Sequence, residues 1–266
     1  MSKNYLLIVE GKKTEPNVFE RVFERYGFRV KKGKEPLNIT DVGQFEKIEF
    51  SLNQNNVVII QGPRNRIHDF LLLIENEDVV VEKLFKYQYA FFNSIFLIYD
   101  VDHNDCEDIE KMFNYFNDET TSGLLLLSSP CIEVLEDYNR ERREETYHKI
   151  EEYKKDINIY WNGLAQDNLL ANFESTMLYF LEKNQKDFAE NNIMEHPRLI
   201  INKINKLNER VNCSDKEKSY VRYRYFSTVV YVAIANANGL TKEIDNYSKA
   251  CEFFENKKQQ LLVYQS

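Results

Sequence analysis

Two apolar segments of this chain are each followed by carboxylates that are suited to holding a divalent cation. The segment Tyr5–Val9 is followed by Glu10, and the segment Ser94–Tyr99 by Asp100 and then Asp102. Short apolar runs that stop at polar residues are typical of buried strands. Alternate residues of an extended chain point to the same side, so Asp100 and Asp102 share a face. Ligands of open α/β sheets bind beyond the carboxyl ends of the strands, which is where this pattern places all three carboxylates.

These three carboxylates are suited to magnesium-dependent hydrolysis. Neighbouring strands lie about 4.8 Å apart, so Glu10 on an adjacent strand would reach the same ion as Asp100 and Asp102. Mg²⁺ or Mn²⁺ fits such a site because it needs few protein oxygens and keeps water and substrate phosphate as further ligands. A pair of such ions activates a water and stabilises the leaving oxygen of a phosphodiester. We therefore predict Glu10, Asp100 and Asp102 as catalytic residues.

Alternating strand and helix patterns place these residues in an α/β fold. The sequence predicts strands at 5–9, 57–60, 95–99 and 124–127, and helices at 16–27, 67–75, 82–92 and 108–116. Strands separated by helices favour a parallel sheet that helices cover on both faces. Residues 29–36 are basic and carry turn signals at Gly33 and Pro36, and a further helix is expected to begin near Cys131.

After about residue 150 the pattern becomes mostly helical. Helical spacing covers 173–182, 198–210, 220–237 and 244–264. We therefore predict a catalytic domain over 1–150 and a helical carboxyl-terminal extension over 151–266. Part of the extension is expected to pack against a second copy or a partner, because it is rich in apolar residues. These residues are Phe226, Val229, Val230, Tyr231, Val232 and Ile234. An ordinary core around Trp161 and Phe173 is the alternative.

Composition excludes several classes of protein. The chain has 266 residues and a net charge of −8, so it is not a globally basic nucleic-acid binder, although local basic patches remain open. Its four cysteines form no CxxC pair, which argues against a zinc site and against a disulfide framework. The apolar runs are too short for a signal peptide or a membrane span, so a cytoplasmic location is expected.

Three motifs together resemble a known family. The segment VEGKKTEP (Val9–Pro16) is similar to the first motif of TOPRIM domains, and Ile98–Asp102 is similar to their DxD motif. With SSPCIE at Ser128–Glu133, the pattern most resembles the RloB/AbiLii-like branch. The resemblance covers roughly residues 4–140 and implies a TOPRIM, Rossmann-like domain. It also implies a nuclease toxin of bacterial anti-phage defence, which acts by abortive infection.

The resemblance implies a role for each matching residue. Glu10 would be a general acid/base or a metal ligand, and Asp100 and Asp102 would hold Mg²⁺. Glu15 and Glu133 would complete a second ion site. Members of this branch often work beside an ABC- or SMC-like ATPase, so such a partner is expected, with a homodimer as a further option. The chain departs from the family pattern at Ser129, where Asn is frequent, and in the acidic residues that follow Glu133.

Basic residues near the same predicted edge are candidates for binding nucleic acid. Lys12 and Lys13 follow Glu10, and Arg64 and Arg66 follow the second strand, so all four are placed to contact phosphate. The segment 220–226 mixes aromatic and basic residues, a pattern that can stack bases. We favour a helix core there, because several of its residues would share one helical face.

The leading interpretation is a Mg²⁺-dependent endonuclease that cuts RNA, with tRNA a candidate, or DNA. A catalytically silent TOPRIM adaptor that docks on an ATPase is the non-enzymatic alternative. A DxD-containing nucleotide-sugar transferase is a second enzyme class, although it leaves the first motif unexplained. A haloacid-dehalogenase-type phosphatase expects Thr or Val two residues after the second aspartate, where this chain has Asn104.

Overall fold

A computed structural model describes most of the chain. The described residues are 3–11, 14–40, 43–61, 71, 92–101, 106–118, 120, 123–129, 131–137, 146–147, 149–160, 162, 164–188, 208–212, 219–223, 226–233 and 247–265. The chain forms two compact units. The first is Met1–Tyr99 with His103–Leu126, and the second is Asp100–Asp102 with Leu127–Ser266.

The first unit is built on a mixed sheet with a parallel centre. Its strands are β1 (Asn4–Val9), β2 (Arg29–Thr40), β3 (Gly43–Leu52), β4 (Asn55–Gln61), β5 (Ser94–Asp100), β6 (Asn117–Asp118) and β7 (Gly123–Ser129). They are hydrogen-bonded in the order β7-β5-β1-β4-β3-β2, and β6 pairs with β7. Strand β1 is parallel to β4 and to β5, whereas β3 is antiparallel to both β4 and β2. The last residues of β5 and of β7 belong to the second unit.

Apolar side chains explain the central strands and the two helices of this unit. Strand β1 is buried from Tyr5 to Val9, as expected for a parallel strand with both faces covered. Helix α1 (Thr14–Arg25) buries Val18, Phe19, Val22 and Phe23, which recur with helical spacing along one face. Helix α2 (Cys106–Tyr115) buries Ile109, Met112 and Phe113 in the same way. The predicted α/β class is confirmed, and so are the four predicted strands.

Strands β2 and β3 were not predicted, and their sequences show why. Residues 29–34 of β2 are exposed, so no apolar alternation marks the strand. Strand β2 is the last strand in the order given above and therefore an edge strand. An edge strand tolerates both lysines and Pro36. Strand β3 places Lys47 and Glu49 in buried positions, where charged residues hide the strand pattern.

The second unit combines helices with short antiparallel strands. Its strands are β8 (Thr146–Tyr147), β9 (Asn208–Asn212), β10 (Ser219–Tyr223) and β11 (Phe226–Ser227), and its helices are a 3₁₀ helix (Ile132–Leu135), α3 (Ile150–Tyr160), α4 (Ala165–Ala171), α5 (Phe173–Phe188) and α6 (Tyr247–Gln265). Strand β10 lies between β8 and β9. Strand β11 pairs with the end of β7, Phe226 opposite Ser129 and Ser227 opposite Ser128.

Two helix predictions for this unit are wrong in part. The segment 220–237 was expected to be helical, but it contains β10 and β11 and turns helical only at 230–233 among its described residues. Alternating aromatic, β-branched and basic residues at Tyr220–Tyr223 suit a strand that pairs on both sides. The predicted helix 198–210 ends in strand β9, and its earlier residues lie outside the described part. Helices α5 and α6 confirm the predictions at 173–182 and 244–264.

The apolar segment expected to dock on a partner is core instead. Val229, Val230, Tyr231 and Val232 are all buried within the chain itself. They therefore give no reason to expect a docking surface, and the alternative of an ordinary core describes them better. Large apolar side chains are exposed at Ile159, Tyr160 and Leu164. None of the helices that the structure describes is long and apolar enough to cross a membrane.

Candidate metal centre

Three potential ligands come together in the second unit. One ligand atom from each of Asp100, Cys131 and Glu133 lies within 4.8 Å of the other two. Asp100 and Cys131 are buried and Glu133 is partly buried. Two carboxylates and a thiol at this separation form a group that is able to hold a metal ion.

The end of β7 and the turn after it position two of the three ligands. Strand β7 ends at Ser129, and the 3₁₀ helix begins at Ile132. Cys131 between them is extended, with φ −157° and ψ 175°, and its carbonyl accepts a hydrogen bond from the Val134 N–H at 3.0 Å. Because Ile132 and Val134 turn into the core, Glu133 between them stays partly exposed. The turn thus places the thiol and a carboxylate two residues apart.

The third ligand is the last residue of β5. The N–H of Val101, the next residue, donates to the Ser128 carbonyl at 3.0 Å. This hydrogen bond ties the end of β5 to the end of β7, so Asp100 is held beside the segment that carries Cys131 and Glu133. The motif resemblance assigns Asp100 to one ion site and Glu133 to a second, whereas the structure places a ligand atom of each within 4.8 Å of the other.

Residues about a hundred positions later in the chain support the end of β7. The Thr228 hydroxyl accepts a hydrogen bond from the Leu127 N–H at 2.9 Å, and the Thr228 N–H donates to the Leu127 carbonyl at 3.0 Å. The hydroxyls of Ser128 and Ser227 are 2.9 Å apart and share a hydrogen bond. These contacts fix the strand end immediately before the ligand-bearing turn.

More carboxylates surround the group. Burial raises the pKa of Glu136 from its ordinary value of 4.5 to about 8, with further contributions from the negative charges of Glu133 and Asp137. Asp137 accepts a hydrogen bond from the Tyr153 hydroxyl at 3.3 Å. Lys154, the next residue of α3, places its Nζ 3.6 Å from Oε2 of Glu133. Helix α3 therefore supplies a hydrogen-bond donor, Tyr153, and a cation, Lys154, to this acidic segment.

Two buried polar atoms beside these carboxylates have unused hydrogen-bonding capacity. Oε1 of Glu136 and Oγ of Ser129 are buried and accept or donate no hydrogen bond among the described residues. A buried carboxylate oxygen without a partner is costly, and a bound cation or an ordered water is the usual remedy. Each of these two atoms therefore has capacity for a further polar partner.

The first unit holds two other predicted residues, Glu10 and Glu15. The Glu10 N–H donates to the Ile98 carbonyl at 3.1 Å, which keeps Glu10 at the end of β1. Burial raises the pKa of Tyr99, and the negative charge of Glu10 adds to that increase. Glu10 therefore contributes a negative charge at the carboxyl end of the parallel strands β1 and β5.

Glu15 lies over the glycine of the first motif. A Cβ built on Gly11 would lie only 2.8 Å from Cδ of Glu15, whose side chain is buried in the first turn of α1. The absence of a side chain at Gly11 lets the carboxylate pack onto the backbone there. This contact explains the spacing of glycine and glutamate in the motif.

The structure thus groups some of the predicted site residues and adds one. Asp100 and Glu133 come together in the second unit, while Glu10 and Glu15 belong to the first. Asp102, Lys12, Lys13, Arg64 and Arg66 lie outside the described residues. The sequence motifs did not predict Cys131 as a ligand, because an isolated cysteine has no CxxC signature. Its position two residues before Glu133 was the available signal.

No protein-family profile, curated protein or solved structure matches this chain. The fold and the side-chain group therefore define its class directly. It is an α/β protein with a candidate metal centre, formed by the last residue of β5 and the turn after β7.

Proposed function

We propose that this protein is a TOPRIM-type endonuclease that uses Mg²⁺ or Mn²⁺ to hydrolyse phosphodiesters. The observation that carries the proposal is the proximity of Asp100, the last residue of β5, and Glu133, in the 3₁₀ helix that follows β7. Carboxylate oxygens in this position are the ligands that Mg²⁺ and Mn²⁺ take in nucleases and polymerases. The α/β class and the ordered sequence motifs support the same proposal.

In this proposal each residue has a separate chemical role. Asp100 and Glu133 would hold an ion, which supplies an activated water and a positive charge for the leaving oxygen. Glu10 would accept or return a proton, because it is a carboxylate at the end of β1 in the proposed TOPRIM motif. Asp102 is proposed as a further ligand, and Lys12, Lys13, Arg64 and Arg66 as phosphate contacts. These five residues rest on the sequence alone.

The proposed substrate, biological role and partner follow from the resemblance to the RloB/AbiLii-like branch. RNA, with tRNA as a candidate, or DNA is the proposed substrate, and anti-phage defence by abortive infection is the proposed role. An ABC- or SMC-like ATPase is the proposed partner. Large apolar side chains are exposed in the second unit at Ile159, Tyr160 and Leu164.

A silent adaptor is the second candidate, and one contact favours it. Lys154 lies 3.6 Å from Glu133 and supplies a positive charge where a nuclease would hold its ion. In an adaptor, this ion pair would be permanent. In a nuclease, the metal ion would displace the lysine, whose 38% exposed side chain is able to move away.

The test is a cleavage assay with matched variants. Purified protein is incubated with Mg²⁺ or Mn²⁺ and a panel of supercoiled plasmid, single-stranded DNA and total tRNA. Wild type is expected to cut at least one substrate, and Asp100→Asn and Glu133→Gln are expected to lose that activity. Asp167→Asn, which changes an exposed carboxylate in the first turn of α4, is the control and should cut normally.

Expression in bacteria gives a second readout. Wild type should be toxic, or toxic upon infection, and Glu10→Gln should remove the toxicity. Failure to cut any substrate with either ion, even beside a cognate ATPase, would leave the adaptor as the better description.

A further inference from the structure

We propose that Cys131 is a metal ligand, so that the centre is a mixed thiolate–carboxylate site that prefers Zn²⁺ to Mg²⁺. The inference rests on the metal centre of the proposed function, but it does not depend on nuclease activity. It assigns metal binding to Cys131, which the sequence motifs did not include. It also changes the expected ion from Mg²⁺ to Zn²⁺. The argument uses the donor atoms, their spacing and the charge around them.

The spacing of the donors suits a zinc ion. Zinc lies about 2.3 Å from a thiolate and about 2.0–2.2 Å from a carboxylate oxygen, so two donors on one tetrahedral ion are roughly 3.5 Å apart. The ligand atoms of Asp100, Cys131 and Glu133 lie within 4.8 Å of one another. Side-chain rotation on binding would have to bring the donors closer together onto one ion. Three protein ligands with one position left for water is the usual composition of a catalytic zinc site.

The backbone keeps the thiol in place. Cys131 is completely buried, and its carbonyl is fixed by the Val134 N–H at the start of the 3₁₀ helix. Strand β7 ends two residues before it, and the supporting hydrogen bonds of Thr228 hold that strand end. A cysteine held rigidly beside two carboxylates is preorganised for metal binding rather than for filling space alone.

Glu136 gives a second and independent reason to expect a cation. Glu136 is only 5% exposed, yet its Oε1 has no hydrogen bond among the described residues. The negative charges of Glu133 and Asp137 both act on it. A carboxylate in this position would accept a hydrogen bond from a metal-bound water, as second ligand spheres commonly do.

Donor chemistry sets the order of affinity. The thiol loses its proton to solvent when the metal–sulfur bond forms. Thiolates favour Zn²⁺ and Cd²⁺, whereas Mg²⁺ takes oxygen ligands almost exclusively. Zn²⁺ also stands above Mn²⁺ in the general order of divalent affinities. The centre is therefore expected to bind Zn²⁺ and Cd²⁺ most tightly, then Mn²⁺, then Mg²⁺.

Cadmium titration of the metal-free full chain tests the sulfur ligand directly. Cd²⁺ should produce a thiolate-to-metal charge-transfer band in the near ultraviolet, and Cys131→Ser should abolish that band. Cys251→Ser, which changes a half-buried cysteine of α6, is the matched control and should keep it. Asp100→Asn should keep the band but weaken Cd²⁺ binding about tenfold or more. A band that persists in Cys131→Ser, or none in wild type, would overturn the proposal.

A measurement on wild type alone covers the case in which Cys131→Ser does not fold. The unfolding temperature is recorded with equal concentrations of Zn²⁺, Mn²⁺ or Mg²⁺, because tighter binding to the folded state gives a larger increase. The increase should follow the order Zn²⁺, Mn²⁺, Mg²⁺. An increase with Mg²⁺ equal to or above that with Zn²⁺ would refute the thiolate ligand and leave an all-oxygen centre. Neither measurement depends on cleavage, so a silent adaptor would still give these results.

Discussion

Buried charges in the two units of the molecule differ in how they are neutralised. In the first unit, Lys47 and Glu49 have side chains only 4% and 1% exposed, and Nζ lies 3.0 Å from Oε1. Glu35 lies 3.5 Å from the same lysine nitrogen. In the second unit, Glu136 is buried beside negative neighbours, and its Oε1 has no hydrogen bond among the described residues. The first arrangement holds its cation within the fold. In the second, the raised pKa of Glu136 keeps this carboxyl protonated near neutral pH, and the proposed cation would take the place of that proton.

The Lys47–Glu49 pair is a structural ion pair, whereas the acidic segment near Glu133 is a candidate binding site. Burying a charge costs several kcal/mol unless a partner is close, so a folded protein keeps few uncompensated charges without a reason. Lys154 supplies a cation near Glu133, but its side chain is 38% exposed and the distance is 3.6 Å. A pair with one partly exposed partner contributes little to stability, and in the proposed nuclease the lysine would give way to the metal ion.

The largest effect is expected from breaking the pair of the first unit. Lys47→Met leaves the Glu49 carboxylate buried without its cation, which should lower the free energy of unfolding by about 3–5 kcal/mol. Urea unfolding followed by circular dichroism measures the change. The double variant Lys47→Met/Glu49→Leu should recover most of the loss, because both charges are then absent. A single variant as stable as wild type would show that the pair does not balance a buried charge.

The next effect concerns Glu136 and pH. Its pKa is raised in the folded protein to about 8 from 4.5, so between these values the folded state holds a proton that the unfolded state has released. Stability without metal should therefore fall as pH rises from about 4.5 to 8, at up to about 1.4 kcal/mol per pH unit, and then level off. Glu136→Gln should lack this loss and be the more stable protein at pH 8.

Urea unfolding at pH 5 and pH 8 in the presence of a chelator measures this pH dependence. Glu152→Gln, which changes an exposed carboxylate of α3, is the control and should follow wild type. Saturating metal should reduce the loss in wild type, because the cation stabilises the charged carboxylates. Equal pH dependence in Glu136→Gln and wild type would contradict the assigned burial of this charge.

A smaller effect is expected when a metal ligand is neutralised. Asp100→Asn should keep the fold and lower divalent-metal affinity about tenfold or more, because one charged oxygen donor is lost. Without metal, the variant should be as stable as wild type or more stable, since one negative charge leaves a crowded group. Calorimetric titration with Mn²⁺ measures the affinity. Equal affinity in wild type and in the Asp100→Asn/Asp102→Asn double variant would show that these residues do not form the metal centre.

The smallest effect should come from the exposed lysine. Lys154→Met removes the cation that competes with metal for Glu133, so Mn²⁺ affinity should increase a few-fold while stability changes by less than about 1 kcal/mol. Lys155→Met, at the adjacent exposed position of α3, is the matched control and should leave both unchanged. Weaker binding in Lys154→Met would mean that the lysine supports the metal site and does not compete with it.

Several elements could be predicted because their signal is local. The apolar runs of β1, β4, β5 and β7 are each long enough to identify a buried strand, and helices α1 and α2 show one apolar face. The edge strand β2 could not be predicted in this way, since its first residues are charged and exposed. Strands β10 and β11 were mistaken for helix because aromatic residues suit either structure, and strand pairing decided between them.

The sequence by itself determined the α/β class and the position of Asp100 at the end of one apolar strand and of Glu133 shortly after another. Burial of an apolar run depends mainly on the run itself, so neighbouring residues are sufficient to predict it. Only the tertiary structure brought Cys131 into the group and placed Glu136, Asp137 and Lys154 around it. That arrangement depends on the turn after β7 and on contacts with residues far along the chain. Such contacts have no local signal, because the pairing of distant backbone groups is decided when the whole unit folds.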